Sequence, residues 1–125
     1  MASYRYIDDF SIGDTYTLVR ILDSTPSNYP VTDAYWTVKP TLTTLDSDAV
    51  LAYHITTVPS ITGGVVVNNA DGSVDIQFVA SPNDSSSMIS NTTYFYDIQV
   101  SLQSGDKYSL ETGKLFTQMN VTFSH

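Results

Sequence analysis

Cysteine is absent from this 125-residue chain, which excludes disulfide bridges, thiolate nucleophiles and zinc–thiolate sites. Positive charge is nearly as scarce. Arg5, Arg20, Lys39, Lys107 and Lys114 are the whole basic complement, set against 13 Asp and Glu for a net charge of −8. A nucleic-acid interface needs clustered bases to neutralise phosphates, and scattered bases in an acidic chain argue against one. Long apolar runs are missing too, since none approaches the ~20 residues of a membrane-spanning helix. The opening Met1-Ala2-Ser3-Tyr4-Arg5-Tyr6 lacks the apolar core of a secretory signal. These absences predict a chain made in a cytoplasm, with no nucleic-acid partner, no membrane and no cofactor.

What the sequence does hold is β-branched and aromatic runs separated by Ser, Thr, Asn and Gly, the composition of short strands joined by turns. The alternation is cleanest near the C-terminus. Tyr96, Ile98, Val100 and Leu102 share one parity, and Asp97, Gln99, Ser101 and Gln103 share the other, as in a half-buried strand. Ser104-Gly105-Asp106 turns the chain, Lys107 to Glu111 repeats the pattern, and Thr112-Gly113 is expected to break it. Leu115, Thr117, Met119 and Val121 then carry it on. Upstream, strands are expected at Arg5 to Asp8, Thr15 to Leu22, Tyr35 to Lys39, Tyr53 to Thr57, Val65 to Asn68 and Ser73 to Val79. Asn69-Ala70-Asp71-Gly72 supplies a hairpin turn between the last two. In the Thr15 to Leu22 strand the buried parity is ambiguous, whereas Val74, Ile76 and Phe78 are expected to face in. Single helical turns are expected near Asp46 to Leu51, with Asp46 or Ser47 as cap, and near Asp84 to Met88. Trp36, the only tryptophan, reads as a core anchor, and parity assigns Tyr96 and Tyr108 to the core as well. The count is about eight or nine mostly antiparallel strands with turns roughly every 8–12 residues. That favours an all-β, two-sheet sandwich over a closed barrel. The length suits a single domain spanning residues 1–125.

The run Tyr94-Phe95-Tyr96-Asp97-Ile98-Gln99-Val100, the Ser104-Gly105 turn, Tyr108-Ser109-Leu110, Gly113-Lys114 and Asn120-Val121-Thr122 form one pattern. It resembles small immunoglobulin-like β-sandwiches of bacteriophage virions, a group that includes the N-terminal domain of siphophage baseplate upper proteins and free-standing relatives. Ile12-Gly13-Asp14-Thr15-Tyr16-Thr17-Leu18 resembles the opening strand of that group, and Val31-Thr32-Asp33-Ala34 the lead into its second. The resemblance spans most of the chain and is specific over its last third. It implies an immunoglobulin-like fold, a virion location and a structural role.

Residues for catalysis are few. A hydrolytic triad needs a nucleophile, a base and an orienting acid in contact, and His54 is the one histidine inside the chain, His125 being terminal. Asp8-Asp9, Asp46 with Asp48, and Asp71 with Asp75 are carboxylate pairs beside turns, where Asp bonds its own backbone. Asn68 to Gly72 and Asp46-Ser47-Asp48 are oxygen-rich but lack the spacing of a calcium loop, so no metal is expected. Asn83-Asp84-Ser85, Asn91-Thr92-Thr93 and Asn120-Val121-Thr122 match the N-glycosylation pattern, which has no consequence without secretion.

The expectation is therefore a non-enzymatic virion docking module, synthesised in the host cytoplasm. Tail or baseplate placement is favoured, with capsid decoration on the major capsid protein as the alternative. Virion symmetry would present it in many copies to other phage structural proteins. Contacts are expected from Met1 to Phe10, Asp23 to Asp33 and Thr57 to Asn69, as segments outside the core, with Tyr4, Tyr6, Phe10, Tyr29 and Val31 as candidate contact residues. A second alternative, a host-glycan binding module, requires an exposed cluster of aromatic rings, with Tyr29 as the best candidate. The core assignment is checked by chemical denaturation. Trp36→Ala or Ile98→Ala should destabilise by roughly 2–5 kcal/mol, while Asp75→Ala should change stability by no more than about 0.5 kcal/mol.

Overall fold

β-Branched and aromatic runs become strands, and Gly, Asn and Asp become turns, in a computed structural model of the chain that describes residues 3–25, 29–41, 49–58, 63–85 and 88–119. The strands are β1 (Ser3–Ile12), β2 (Tyr16–Leu22), β3 (Val31–Lys39), β4 (Leu51–Thr56), β5 (Gly64–Asn68), β6 (Val74–Ala80), β7 (Thr93–Leu102) and β8 (Lys107–Met119). One helical turn, Pro82–Ser85, lies between β6 and β7. A five-stranded sheet runs β1-β8-β7-β3-β4, and a three-stranded sheet runs β2-β6-β5. Every pairing is antiparallel except β1 with β8.

The inner faces of the two sheets pack as a sandwich. Trp36 of β3 is fully buried, with its ring centroid 5.8 Å from Phe78 of β6 and 6.2 Å from Tyr16 of β2. Tyr53 of β4 stacks on the same indole at 5.7 Å, and Phe10 of β1 meets its edge at 6.4 Å. Val74, Ile76 and Phe78 face inward from β6, and Tyr94, Tyr96, Ile98, Val100 and Leu102 from β7, as their alternation requires. β2 resolves its ambiguous parity by burying Leu18 and turning Val19 and Ile21 out. Ser101 is buried although its parity points outward.

Side chains tie the loops to this core. Buried Ser85 accepts from the Gly13 amide at 3.1 Å, joining the helical turn to the β1–β2 turn. Tyr53 donates to Asp84 at 2.6 Å. Buried Thr117 donates to the Ile89 carbonyl at 2.6 Å and accepts from the Thr92 amide at 3.0 Å, closing the connector before β7.

Several sequence-based boundaries change. β3 starts at Val31 rather than Tyr35, and the second helical turn sits at Pro82–Ser85. Asp46 and Ser47, the caps expected for the other turn, lie outside the described residues. The N-terminal segment belongs to the core after all: Ile7 and Phe10 are buried, and β1 pairs along its length with β8. The 57–69 region likewise contributes Val66 to the core.

The largest change concerns β8, a continuous strand with no break at Thr112-Gly113. Its irregularity lies earlier. Ile98 pairs with Glu111 and Gln99 with Ser109, which leaves Leu110 as an extra residue, a β-bulge. Beyond the bulge the inward parity shifts to Glu111, Gly113, Leu115 and Thr117, all buried. Gly113 is required for close approach, because a Cβ there would sit 1.8 Å from the Arg5 carbonyl oxygen of β1. Tyr108 precedes the bulge and faces the core side opposite Val100, yet it is 40% exposed. Among the described residues β1 begins only opposite Glu111, so Tyr108 lies at a stretch of β8 with β7 as its one paired neighbour.

Glu111 is pulled inside by the same shift and is 2% exposed. Arg20, from the opposite sheet, grips it with both ends of its guanidinium: Nε to Oε1 at 2.6 Å and Nη2 to Oε2 at 2.9 Å. The Tyr96 hydroxyl donates to Oε2, and Arg5 Nε lies 3.8 Å from Oε1. Burial opposes ionisation of Glu111. The hydrogen bonds from Arg20 and Tyr96 and the charges of Arg20 and Arg5 outweigh it, so the carboxyl titrates below its ordinary value. Burial, together with the bond to Glu111, pushes the Tyr96 hydroxyl well above its ordinary value, so it remains a donor.

A carboxyl depressed in the folded state contributes fully above its unfolded pKa and loses that contribution as pH falls through the folded value. Stability from this group should therefore hold from neutrality down to about pH 4.5 and decline below it, and acid titration of Glu111→Gln should lack that component. At neutral pH Glu111→Gln should cost about 3 kcal/mol, because Arg20 loses its partner. Gly113→Ala should destabilise by about 2 kcal/mol or more and selectively raise hydrogen exchange of the β1 amides, because the new methyl displaces β1 from β8.

Candidate functional site

Alternation leaves each sheet an outer face that the core does not claim. The two outer faces of this sandwich differ in chemistry. On the three-stranded sheet, register places Ile21, Asp75 and Val67 in one cross-strand row and Val19, Gln77 and Val65 in the next. Ile21 is 65% exposed, Val19 48% and Val67 44%. Aliphatic side chains thus stand in water on either side of Asp75 and Gln77.

On the five-stranded sheet, Tyr6, Lys114, Phe95 and Lys39 form one row across β1, β8, β7 and β3. Thr112, Asp97 and Thr37 form the next row across β8, β7 and β3. Along these rows lies a groove of about 560 Å3, lined among others by Phe95, Thr37, Lys39, Asp97, Thr112 and Lys114. Tyr6, 60% exposed, stacks on Phe116 at 5.9 Å beside the Lys114 end of the groove. Gln99 donates to Asp97 at 3.2 Å. Farther along the face, Lys107 sits 5.2 Å above the Tyr35 ring, and Tyr35 stacks on His54 at 4.5 Å.

Charge is partitioned in the same way. Both arginines are drawn to Glu111. All three lysines, by contrast, stand at outward positions of β3 and β8 on the larger sheet. The outward positions of β3, β7 and β8 carry only Asp33 and Asp97 against them, in a chain of net charge −8. The outward positions of these three strands therefore carry a net positive charge in an acidic chain.

His54 lies on edge strand β4, with Nε2 3.1 Å from Asp33 Oδ1. Asp33 Oδ2 accepts from the Thr32 hydroxyl at 3.2 Å. The carboxylate thus stands between hydroxyl and imidazole, the reverse of the order a hydrolytic triad needs. Asp71 is engaged by its own turn, accepting from the Ser73 amide and hydroxyl at 2.9 and 2.6 Å, and those bonds hold its carboxyl below the ordinary value. Asn68, in the oxygen-rich segment, spends both ends of its amide on the Val31 backbone at 2.9 Å. Among the described residues no group of three His, Asp or Glu side chains has the geometry to hold a metal ion.

The candidate contact residues separate. Tyr6 and Tyr29 are exposed, and Thr25 donates to the Tyr29 carbonyl at 2.5 Å. Phe10 and Val31 are fully buried and cannot serve as surface contacts: Phe10 fills space beside Trp36 and Tyr16, and the shifted β3–β7 register at Val31 turns that residue inward. The Tyr4 side chain lies outside the described residues. The exposed aromatic cluster forms around Tyr6 and Phe116 rather than Tyr29. Sequence reasoning missed the lysine face because Lys107 and Lys114 have opposite parity, and only the Leu110 bulge brings them to one side.

No protein-family model matches the chain, and no curated protein matches its sequence.

Because the aliphatic row does not contribute to the core, Val19→Thr and Ile21→Thr should each shift the unfolding free energy by no more than about 0.5 kcal/mol in denaturant titration.

Proposed function

We propose that this protein is a non-enzymatic docking module of a bacteriophage virion, carried on the tail or baseplate. The observation that carries the reading is the set of exposed aliphatic side chains on the three-stranded sheet, Ile21, Val19 and Val67, around Asp75 and Gln77. Burying that face against a neighbouring virion protein recovers apolar surface. Repetition of the contact by particle symmetry turns a modest affinity into persistent attachment.

Two further observations support it. The sequence pattern from Tyr94 to Thr122 resembles virion sandwiches. The two sheets, β2-β6-β5 and β1-β8-β7-β3-β4, make a β-sandwich whose strand order supports an immunoglobulin-like reading, in which β2, β6 and β5 would stand for strands B, E and D. Capsid decoration uses the same mechanism on a different lattice and is the alternative placement.

Electron microscopy of purified particles at side-chain resolution tests the proposal. Density for the sandwich at the tail tip or baseplate, with β2 and β5 against a neighbour, is the expected result. Density on the head lattice would move the protein to capsid decoration, and absence from particles would overturn the virion reading. The double variant Val19→Thr/Ile21→Thr should fold normally yet be depleted from particles by about tenfold, a loss of about 1.4 kcal/mol in docking.

A further inference from the structure

We infer that the groove on the outer face of the five-stranded sheet binds an acidic saccharide, with Lys114 as the residue that selects for its carboxylate. This goes beyond the docking role and does not rest on it, since the aliphatic docking face lies on the opposite sheet.

The groove volume of about 560 Å3 falls within the ~300–1,000 Å3 usual for small-ligand sites. Its chemistry matches the parts of a sugar acid. Phe95 offers an apolar surface for the C–H face of a pyranose ring. Thr37 and Thr112 supply hydroxyls that both donate and accept, and Asp97 supplies acceptors for sugar hydroxyls. Lys114 and Lys39 flank Phe95 in the same cross-strand row, one at each side of the ring. Among the described residues Lys114 has no carboxylate within 4.0 Å, and Asp97 is the one acidic side chain that lines the groove beside it. The charge partition points the same way: the three lysines of this acidic chain are gathered on the one face that holds the groove.

Peptide ligands fit less well. An extended peptide adds to a sheet through a free strand edge. At the groove, Thr37 of β3, Phe95 and Asp97 of β7, and Thr112 and Lys114 of β8 each have a paired strand on both sides, so no free edge is offered there. An amphipathic helix needs a long, uncharged apolar trough, whereas this groove sets two lysines and an aspartate beside the apolar surface of Phe95 and Tyr96. Recognition must therefore run through side chains of mixed polarity, as it does for a saccharide.

The test is amide chemical-shift mapping on the isotope-labelled full chain. The probes are trigalacturonic acid and sialyllactose, with the methyl ester of the first and lactose as their uncharged counterparts, and a hexaglutamate peptide as the competing class. The expected result is saturable shifts at Thr37, Phe95, Asp97, Thr112 and Lys114 with at least one acidic sugar, and affinity about tenfold weaker for its uncharged counterpart. Lys114→Gln should weaken the acidic sugar by about the same factor with an unchanged unfolding midpoint, and Lys114→Arg should restore most of it. No shifts with either acidic sugar at millimolar concentration would overturn the inference. So would equal affinity for charged and uncharged forms, or shifts in the groove with hexaglutamate alone, which would reassign the face to an acidic protein segment. Location of the chain in or outside a virion has no bearing on these readouts.

Discussion

One extra residue in β8 governs most of the architecture. With Leu110 unpaired between Ser109 and Glu111, every later side chain of the strand changes face. Glu111 enters the space between the sheets instead of facing water. Gly113 comes to lie under β1, where the absence of a side chain lets the Arg5 carbonyl approach. Lys114 turns outward into the row that begins at Tyr6. An unbulged strand would place Glu111 and Gly113 outside and Lys114 within the sandwich, where an unpaired ammonium is costly.

The bulge also explains how so few bases are deployed. A carboxylate drawn between the sheets requires compensation, and Arg20 from β2 supplies a two-pronged hydrogen-bonded partner while Tyr96 fills a further acceptor site. This cluster couples the two sheets with directional bonds, where the aromatic packing around Trp36 couples them without fixed direction. Arg5 adds long-range charge from β1. With Arg20 held between the sheets and Arg5 turned towards the same carboxylate from an exposed position, the three lysines are the other basic side chains, and they fall on one side.

The outer faces then divide the surface by chemistry. The three-stranded sheet shows aliphatic side chains around Asp75 and Gln77, a surface suited to close packing against another protein. The five-stranded sheet shows lysines, threonines and aromatic rings around a groove, a surface suited to a polar ligand with a negative charge. Opposite sheets of one rigid sandwich can serve both at once without competition for space.

Local periodicity was enough to read β6 and β7, because a strand flanked by neighbours on both sides and covered on one face must alternate. Trp36 was legible for a related reason: the largest side chain in the middle of a β-branched run has nowhere to go but the centre. The turns at Gly13, Asn69 to Gly72 and Ser104 to Asp106 were legible from glycine and Asx chemistry, which acts within a few residues. What lay beyond the sequence depends on distant partners. Phe10 and Val31 sit beside polar or turn residues and read as surface, and only packing against Trp36 and a shifted register bury them. The parallel pairing of β1 with β8 joins residues more than 100 positions apart. The face of Lys114 depends on a bulge specified by how β7 and β8 meet, an interaction that parity along a single strand does not encode.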